Sequence, residues 1–369
     1  MKNIKRFPLF LIVFGFIVIY SLTCLFLPDK SFSENENKYL AKFPQISWRG
    51  LVNGSFATKY EEYVSDQMLF RDGWITAKSL CEFALLKTEN NGVVYGKDGY
   101  MFPRFYKFDK STLIKNLDAI GTFSARAYSN VSLMIVPSSY YPLVDKVPAG
   151  LPIVDQSFFI KSSYNYLADV CLPVNAKDIL SVNANNYIYY RTDHHWTTYG
   201  AWLAYTQFAA TAGFTPFEYN GSVPIKVPEF FGTSYSKSKA FNAKPDTLEY
   251  FDFKGTMTIG DQTYDSIYDT DKLSSRDKYG AFLRGNNGYS TIKSPPSDSK
   301  KESILVIKDS FANSMIPFLL NNYNTIVVVD PRYYSGDFKE FFDDRFSDIL
   351  VLYSFESITT DTSIAKLGL

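Results

Sequence analysis

The chain has 369 residues, 46% of them hydrophobic, with 38 basic and 38 acidic side chains. That length and apolar fraction suit two average domains or one large domain with additions, and they exclude a disordered chain. The balanced charge offers no electrostatic footprint for nucleic acid and no sink for acidic substrates.

Lys2, Lys5 and Arg6 precede the uncharged run FPLFLIVFGFIVIYSLTCLFL, Phe7 to Leu27. At ~1.5 Å rise per residue this run matches a ~30 Å hydrocarbon layer, which predicts an N-terminal transmembrane helix and anchor within residues 1–28. A cleaved signal peptide competes with that reading, but the apolar core exceeds the usual ~7–15 residues and no small-x-small cleavage site follows. Basic residues before the run and Asp29 after it predict a single-pass protein of the cell membrane with its main domain extracytoplasmic. Of the three cysteines, Cys24 falls in the run, while Cys81 and Cys171 lie beyond it, as a disulfide or as two free thiols.

Residues 29–90 read as a helical neck, with Phe56, Tyr60, Tyr63, Met68 and Leu69 at roughly helical intervals. From Asn91 onward the rhythm changes. NGVVYGKDGYMF suggests short strands around a glycine turn, Ser111 to Tyr128 a helix, Val131 to Val136 a strand buried on both faces, and Asp155 to Cys171 another helix. Near the C-terminus SILVIKDS, FANSMIPFLLNNY, TIVVVDPR, GDFKEFFDDRF and DILVLYS alternate as strand, helix, strand, helix, strand. This pattern predicts an α/β domain over 91–369, a parallel sheet flanked by helices. Residues 215–300, polar and glycine-rich with β-like pieces TLEYFDF and TMTIG, read as a β-containing insertion on it.

Ligands and nucleophiles of parallel α/β sheets gather beyond the carboxyl ends of strands. Ser310 stands at such a corner, after ILVI and before a helix that carries Phe311, Met315, Phe318 and Leu319 on one face. Free helix N–H groups there suit a developing oxyanion. Serine and aspartate are also the favoured helix caps, so the corner by itself leaves a cap and a nucleophile both open.

A nucleophilic serine needs a base and an acceptor to orient that base. The chain has two histidines, His194 and His195, both in YYRTDHHWTTYG, with Asp193 beside them and a helix beginning near Thr197. Asp193 and His195, two apart at a helix entrance, suit a carboxylate accepting from Nδ1 with Nε2 turned to a nucleophile, while His194 points elsewhere. A metal site would need further carboxylates, because no third histidine, HExxH or cysteine cluster exists; a structural loop is the other reading. Arg332, after TIVVVDP, is a candidate for the same crevice or for an ion pair with Asp330 or Asp337. Ser138 and Ser139 follow a strand in the same way.

TDHHWTTYGA together with VIKDSFANSMIPFL resembles the DHHW protein family, related to the alginate O-acetylation proteins and more distantly to SGNH hydrolases. FSENENKYLAKFP, GKDGYMF, MIVPSSYYPLVDKVP and FFGTSYSKS are similar to it too. The resemblance implies an SGNH-hydrolase-like fold in which Asp193 is the orienting carboxylate, His195 the base and Ser310 the nucleophile, with Arg332 matching a substrate- or oxyanion-facing arginine. It implies an O-acetyltransferase or acetylesterase acting on a cell-envelope or secreted polysaccharide, without a cofactor. A membrane-bound O-acyltransferase is the acetyl donor that this resemblance suggests. Lys308 departs from the pattern, replacing the glycine of Gly-Asp-Ser, and no block matches the oxyanion glycine and asparagine of SGNH enzymes. A catalytically silent scaffold or glycan-binding module of the same fold is the alternative.

Overall fold

The computed structural model describes residues 8–33 and 38–369. The basic residues Lys2, Lys5 and Arg6, the start of the apolar run at Phe7, and residues 34–37 of the neck lie outside them. The chain divides into two compact units, one reaching Lys87 and including Ser236–Asn242, the other formed by Thr88–Tyr235 and Ala243–Leu369.

In the first unit the apolar run forms an exposed helix over Pro8–Phe26, 19 residues long. Among the described residues no helix is long and apolar enough to cross a membrane. The expected transmembrane segment, Phe7 to Leu27, begins outside the described residues, and its described part forms the helix that closes at Phe26. The neck contains the helices Ser55–Asp66 and Arg71–Ala84, with Phe56 stacked 5.9 Å from Tyr60. Met68 and Leu69 lie between these helices, where Phe70 takes a left-handed φ of 56°. All three cysteines are free.

The second unit is built on one eight-stranded sheet. Its strands are β1 (Val131–Val136), β2 (Leu172–Val174), β3 (Thr256–Ile259), β4 (Gln262–Tyr264), β5 (Tyr289–Lys293), β6 (Lys301–Lys308), β7 (Tyr323–Val329) and β8 (Asp348–Ser354). The order is β4-β3-β5-β7-β6-β8-β1-β2. β7, β6, β8, β1 and β2 run parallel, and β5, β3 and β4 continue the sheet antiparallel. Residues 215–300 thus supply three strands of the main sheet, besides the hairpin of Ile225–Phe230 with Asp246–Tyr250.

Among its helices are α1 (Lys110–Arg126), α2 (Gln156–Tyr166), α3 (Thr198–Ala212), α4 (Ala312–Leu319) and α5 (Phe355–Thr360). Because successive strand side chains alternate, each parallel strand feeds two cores. Ile304, Val306, Leu350 and Leu352 face one core with Phe208 of α3 and Phe318 of α4. Leu305, Ile307, Ile349 and Val351 face the other with Leu117 and Phe123 of α1 and Ile358 of α5. A mixed α/β fold with helices on both faces of the sheet follows.

One expected helix is absent: GDFKEFFDDRF forms only a 3-10 turn over Phe338–Phe341. Phe338 and Phe341, three apart, bury on one side of this turn. Asp343 then accepts from the Arg345 N–H at 3.2 Å, a local bond that competes with helix continuation.

Candidate active site

Ser310 follows β6, a strand with parallel neighbours on both sides. The turn is fastened by Asp309, which is 1% exposed; its carboxylate accepts from the Phe311 N–H at 2.9 Å and the Ser354 N–H at 2.9 Å. Asp309 therefore shapes the corner, and Ser310 has its hydroxyl available for another partner. The Ser310 N–H has no acceptor among the described residues, which makes it a candidate donor to an oxyanion.

The base arrives on an irregular loop, Tyr187 to Thr197, closed by the bridge between Tyr189 and Trp196. Two buried carboxylates organise this loop. Asp246 accepts from the Arg191 N–H at 3.1 Å, the Thr192 N–H at 2.8 Å and the Thr192 hydroxyl at 2.6 Å, as well as from the Tyr187 hydroxyl. Thr197 ends the loop by capping α3 through the Gly200 N–H at 3.2 Å. The Trp196 indole N–H then reaches the Phe311 carbonyl and the Ser314 hydroxyl, each at 3.0 Å, and so ties the loop to the start of α4.

Asp193 is the second carboxylate, 2% exposed. Its Oδ1 accepts from His195 Nδ1–H at 2.6 Å and from the His195 backbone N–H at 3.0 Å, while Oδ2 accepts from the Thr233 N–H at 2.7 Å and its hydroxyl at 2.9 Å. Gly232 lets that loop close in, since a Cβ there would lie 2.2 Å from the Asp193 Cβ. Burial pushes the Asp193 pKa up, but the two histidines and the Thr233 N–H outweigh it and hold the carboxyl well below the usual range. With Nδ1–H committed to Asp193, Nε2 of a neutral His195 accepts the Ser310 Oγ–H at 2.8 Å. The structure brings Asp193, His195 and Ser310 into one hydrogen-bonded chain.

His194 does not turn away. Its ring centroid lies 3.9 Å from that of His195, its Nδ1–H donates to the Thr233 hydroxyl at 2.7 Å, and it lines the cleft over Ser310. The expectation that it points elsewhere is corrected, because Thr233 serves both Asp193 and His194. Asp193, His194 and His195 also place ligand-type atoms within 4.8 Å of one another. Both Asp193 oxygens and both His195 ring nitrogens already carry protein hydrogen bonds, so cation binding there would compete with the chain just described.

The cleft has a volume of about 190 Å³ and is lined by Ser138, His194, Ser310, Phe311, Arg332 and Glu356 with hydroxyls of α5. Arg332 lines the cleft, and its Nε and Nη2 donate to Asp330 at 2.9 and 2.6 Å. Burial works against the guanidinium charge, but Asp330 outweighs it and holds Arg332 charged. Ser138 donates to Glu356 at 3.1 Å, whereas Ser139 is not among the cleft residues.

Two participants escaped sequence reasoning. Thr233 had only the signal of its FFGTSYSKS context. Tyr279 had none; its ring stacks on His195 at 4.0 Å and 12°, and its hydroxyl donates to the Ser310 carbonyl at 3.0 Å. Burial pushes the Tyr279 phenol well above its usual range, so it stays a neutral donor.

Residues 155–329 match the DHHW protein family. The match takes in Asp193, His195 and Ser310, so the resemblance read from DHHW and KDS stands. Among solved structures, a DHHW family protein from Eubacterium siraeum has a similar fold, with 23% identity over 75% of this chain and 95% of its own, TM-score 0.63. Bacillus cereus PatB1 is similar at 16% identity over 73% of this chain and 98% of its own, TM-score 0.56, and a PatB1 structure with a sulfonyl adduct gives the same identity and score. At these identities the likeness establishes the mixed α/β fold. No curated protein matches the chain.

Proposed function

We propose that this protein is a serine-dependent O-acetyltransferase or acetylesterase acting on a cell-envelope or secreted polysaccharide. The observation that carries the reading is the chain Asp193–His195–Ser310, 2.6 and 2.8 Å long at its two links, opening into a small polar cleft at a strand's carboxyl end. Ser310 Oγ attacks the acetyl carbonyl and forms the Oγ–C bond, while its proton passes to His195 Nε2. The bond from carbon to the leaving oxygen breaks, and that oxygen takes the proton. In the second half a sugar hydroxyl or water gives its proton to His195 and attacks the acetyl-serine carbonyl; the Oγ–C bond breaks, and His195 returns that proton to Ser310 Oγ. Asp193 holds the imidazole in the required tautomer and balances the imidazolium.

The site of action belongs to the proposal: outside the cytoplasmic membrane, with the apolar N-terminal segment directing the chain to the membrane. The order of basic residues followed by an apolar run supports it. A glycan is the proposed acceptor, and a membrane-bound O-acyltransferase the proposed source of acetyl groups.

Intact-mass spectrometry after exposure to an activated acetyl ester tests the mechanism. The expected result is a single acetyl adduct on Ser310, absent in Ser310→Ala. A sulfonyl fluoride provides a second label, in keeping with the sulfonyl adduct of PatB1. A protein that forms neither adduct, yet binds glycan as well after Ser310→Ala, would be a silent binding module instead.

A further inference from the structure

Lys308 stands where the resembled pattern has glycine, and it is a lysine only 1% exposed, two residues before the nucleophile. Its ammonium donates to Asn286 Oδ1 at 3.1 Å and to Asp330 Oδ2 at 3.2 Å. Asp330, with no exposed surface, is thereby shared between two cations, because it also takes Nε and Nη2 of Arg332 at 2.9 and 2.6 Å. Nη1 of Arg332 has no acceptor among the described residues, and Arg332 lines the cleft with Ser310. Burial pushes the Lys308 pKa down and Asp330 offsets part of that.

Charge balance shows what the lysine changes. Two buried carboxylates flank the strand end, Asp309 and Asp330, and Asp309 also acts on Arg332. Two cations, Lys308 and Arg332, match them. An apolar residue at 308 would leave Asp330 to Arg332 alone and a net negative charge beneath a serine whose reaction builds an oxyanion.

We propose that Lys308 is a positioning residue: by balancing the charge of Asp330, it leaves Arg332, whose Nη1 meets no acceptor among the described residues, with the positive field that holds the oxyanion of the ester under attack at Ser310. The device supplies from charge what the missing glycine and asparagine donors supply in the resembled pattern. It rests on the reading of Ser310 as nucleophile.

A double-mutant cycle on the full chain tests it, with turnover of 4-nitrophenyl acetate by wild type, Lys308→Met, Arg332→Ala and the pair. Each single change is expected to lower kcat about 100-fold, the scale of one lost oxyanion donor, with KM within about threefold. The double variant should lose no more than Arg332→Ala alone. Multiplying losses, or wild-type kcat in Arg332→Ala, would overturn the proposal. If Lys308→Met does not fold, Lys308→Gln, which keeps a donor for Asp330 but removes the charge, takes its place with the same outcomes; failure of both to fold would assign Lys308 to folding and also overturn it. Wild-type protein that neither turns over the ester nor forms the Ser310 adduct overturns the nucleophile reading, and this inference with it. Active wild type with multiplying losses overturns this inference alone.

Discussion

The two halves of the candidate site are fixed in opposite ways. The Ser310 corner ends a strand paired on both sides, so main-chain ladders bring the nucleophile to its place and the Asp309 carboxylate only fastens the turn. The His195 loop has a single isolated bridge, and its shape comes from the side-chain acceptors Asp246 and Asp193. Removing one strand side chain leaves the ladder intact, whereas removing either carboxylate leaves several buried donors without a partner. Substitutions in the loop should therefore disturb chemistry first, and substitutions in the sheet stability first.

The largest expected effect is in the loop. Asp193→Asn should lower kcat for ester turnover about 10⁴-fold, because the amide no longer selects the required His195 tautomer. Wild-type turnover in this variant would remove Asp193 from the mechanism. The same carboxylate sets a pH dependence of stability. Its folded pKa lies below its unfolded value of ~3.9, so on acidification the unfolded chain takes the proton first. Its stabilisation is fully present above the unfolded value and is lost as pH falls through the folded one. Thermal melting should therefore fall on acidification below about pH 4, and Asp193→Asn should lessen that slope.

The sheet gives the converse. Leu350 is fully buried in β8, opposite Val306 of β6. Leu350→Ala should cost about 2–5 kcal/mol in urea unfolding through lost burial and a residual cavity. Well below its melting temperature the variant should keep kcat within about threefold. A collapse of kcat without a matching loss of stability would show that the Ser310 corner is held by packing more than by strand pairing.

The same contrast explains what the sequence made legible. Val131–Val136 and the three C-terminal strands are continuous apolar runs, and a parallel strand buried on both faces reads that way whatever surrounds it. Ser310 was readable because it ends such a run, and His195 because only one other histidine competes with it. The aromatic pattern of Phe338–Phe346 misled, since phenylalanines at spacing three suit a 3-10 turn as well as a helix. Tyr279 was illegible, and Thr233 legible only through FFGTSYSKS, for a different reason: both reach the site by long-range closure from residues 215–300, whose polar composition carries no period. In that region TLEYFDF and TMTIG read as β-like pieces and form the strands Asp246–Tyr250 and Thr256–Ile259, whereas Gln262–Tyr264 and Tyr289–Lys293, at the antiparallel side of the sheet, carry no apolar run to mark them.

Gly232→Ala probes the point where that closure meets the loop. The added Cβ would lie 2.2 Å from the Asp193 Cβ and 2.3 Å from Oδ2, and Asp193 is held from its other side by His195. Relief requires a shift of either the Thr233 segment or the carboxylate, and overpacking of this kind costs about 1–3 kcal/mol. A carboxylate moved by about 1 Å misorients the imidazole, so kcat should fall on the order of 100-fold, out of proportion to the stability lost. Urea unfolding and ester turnover on the same preparation separate the outcomes. Lost stability with unchanged kcat would mean that the Thr233 segment yields and Asp193 does not, which would make the Thr233 bonds structural and leave the His195 backbone as the part that fixes the carboxylate.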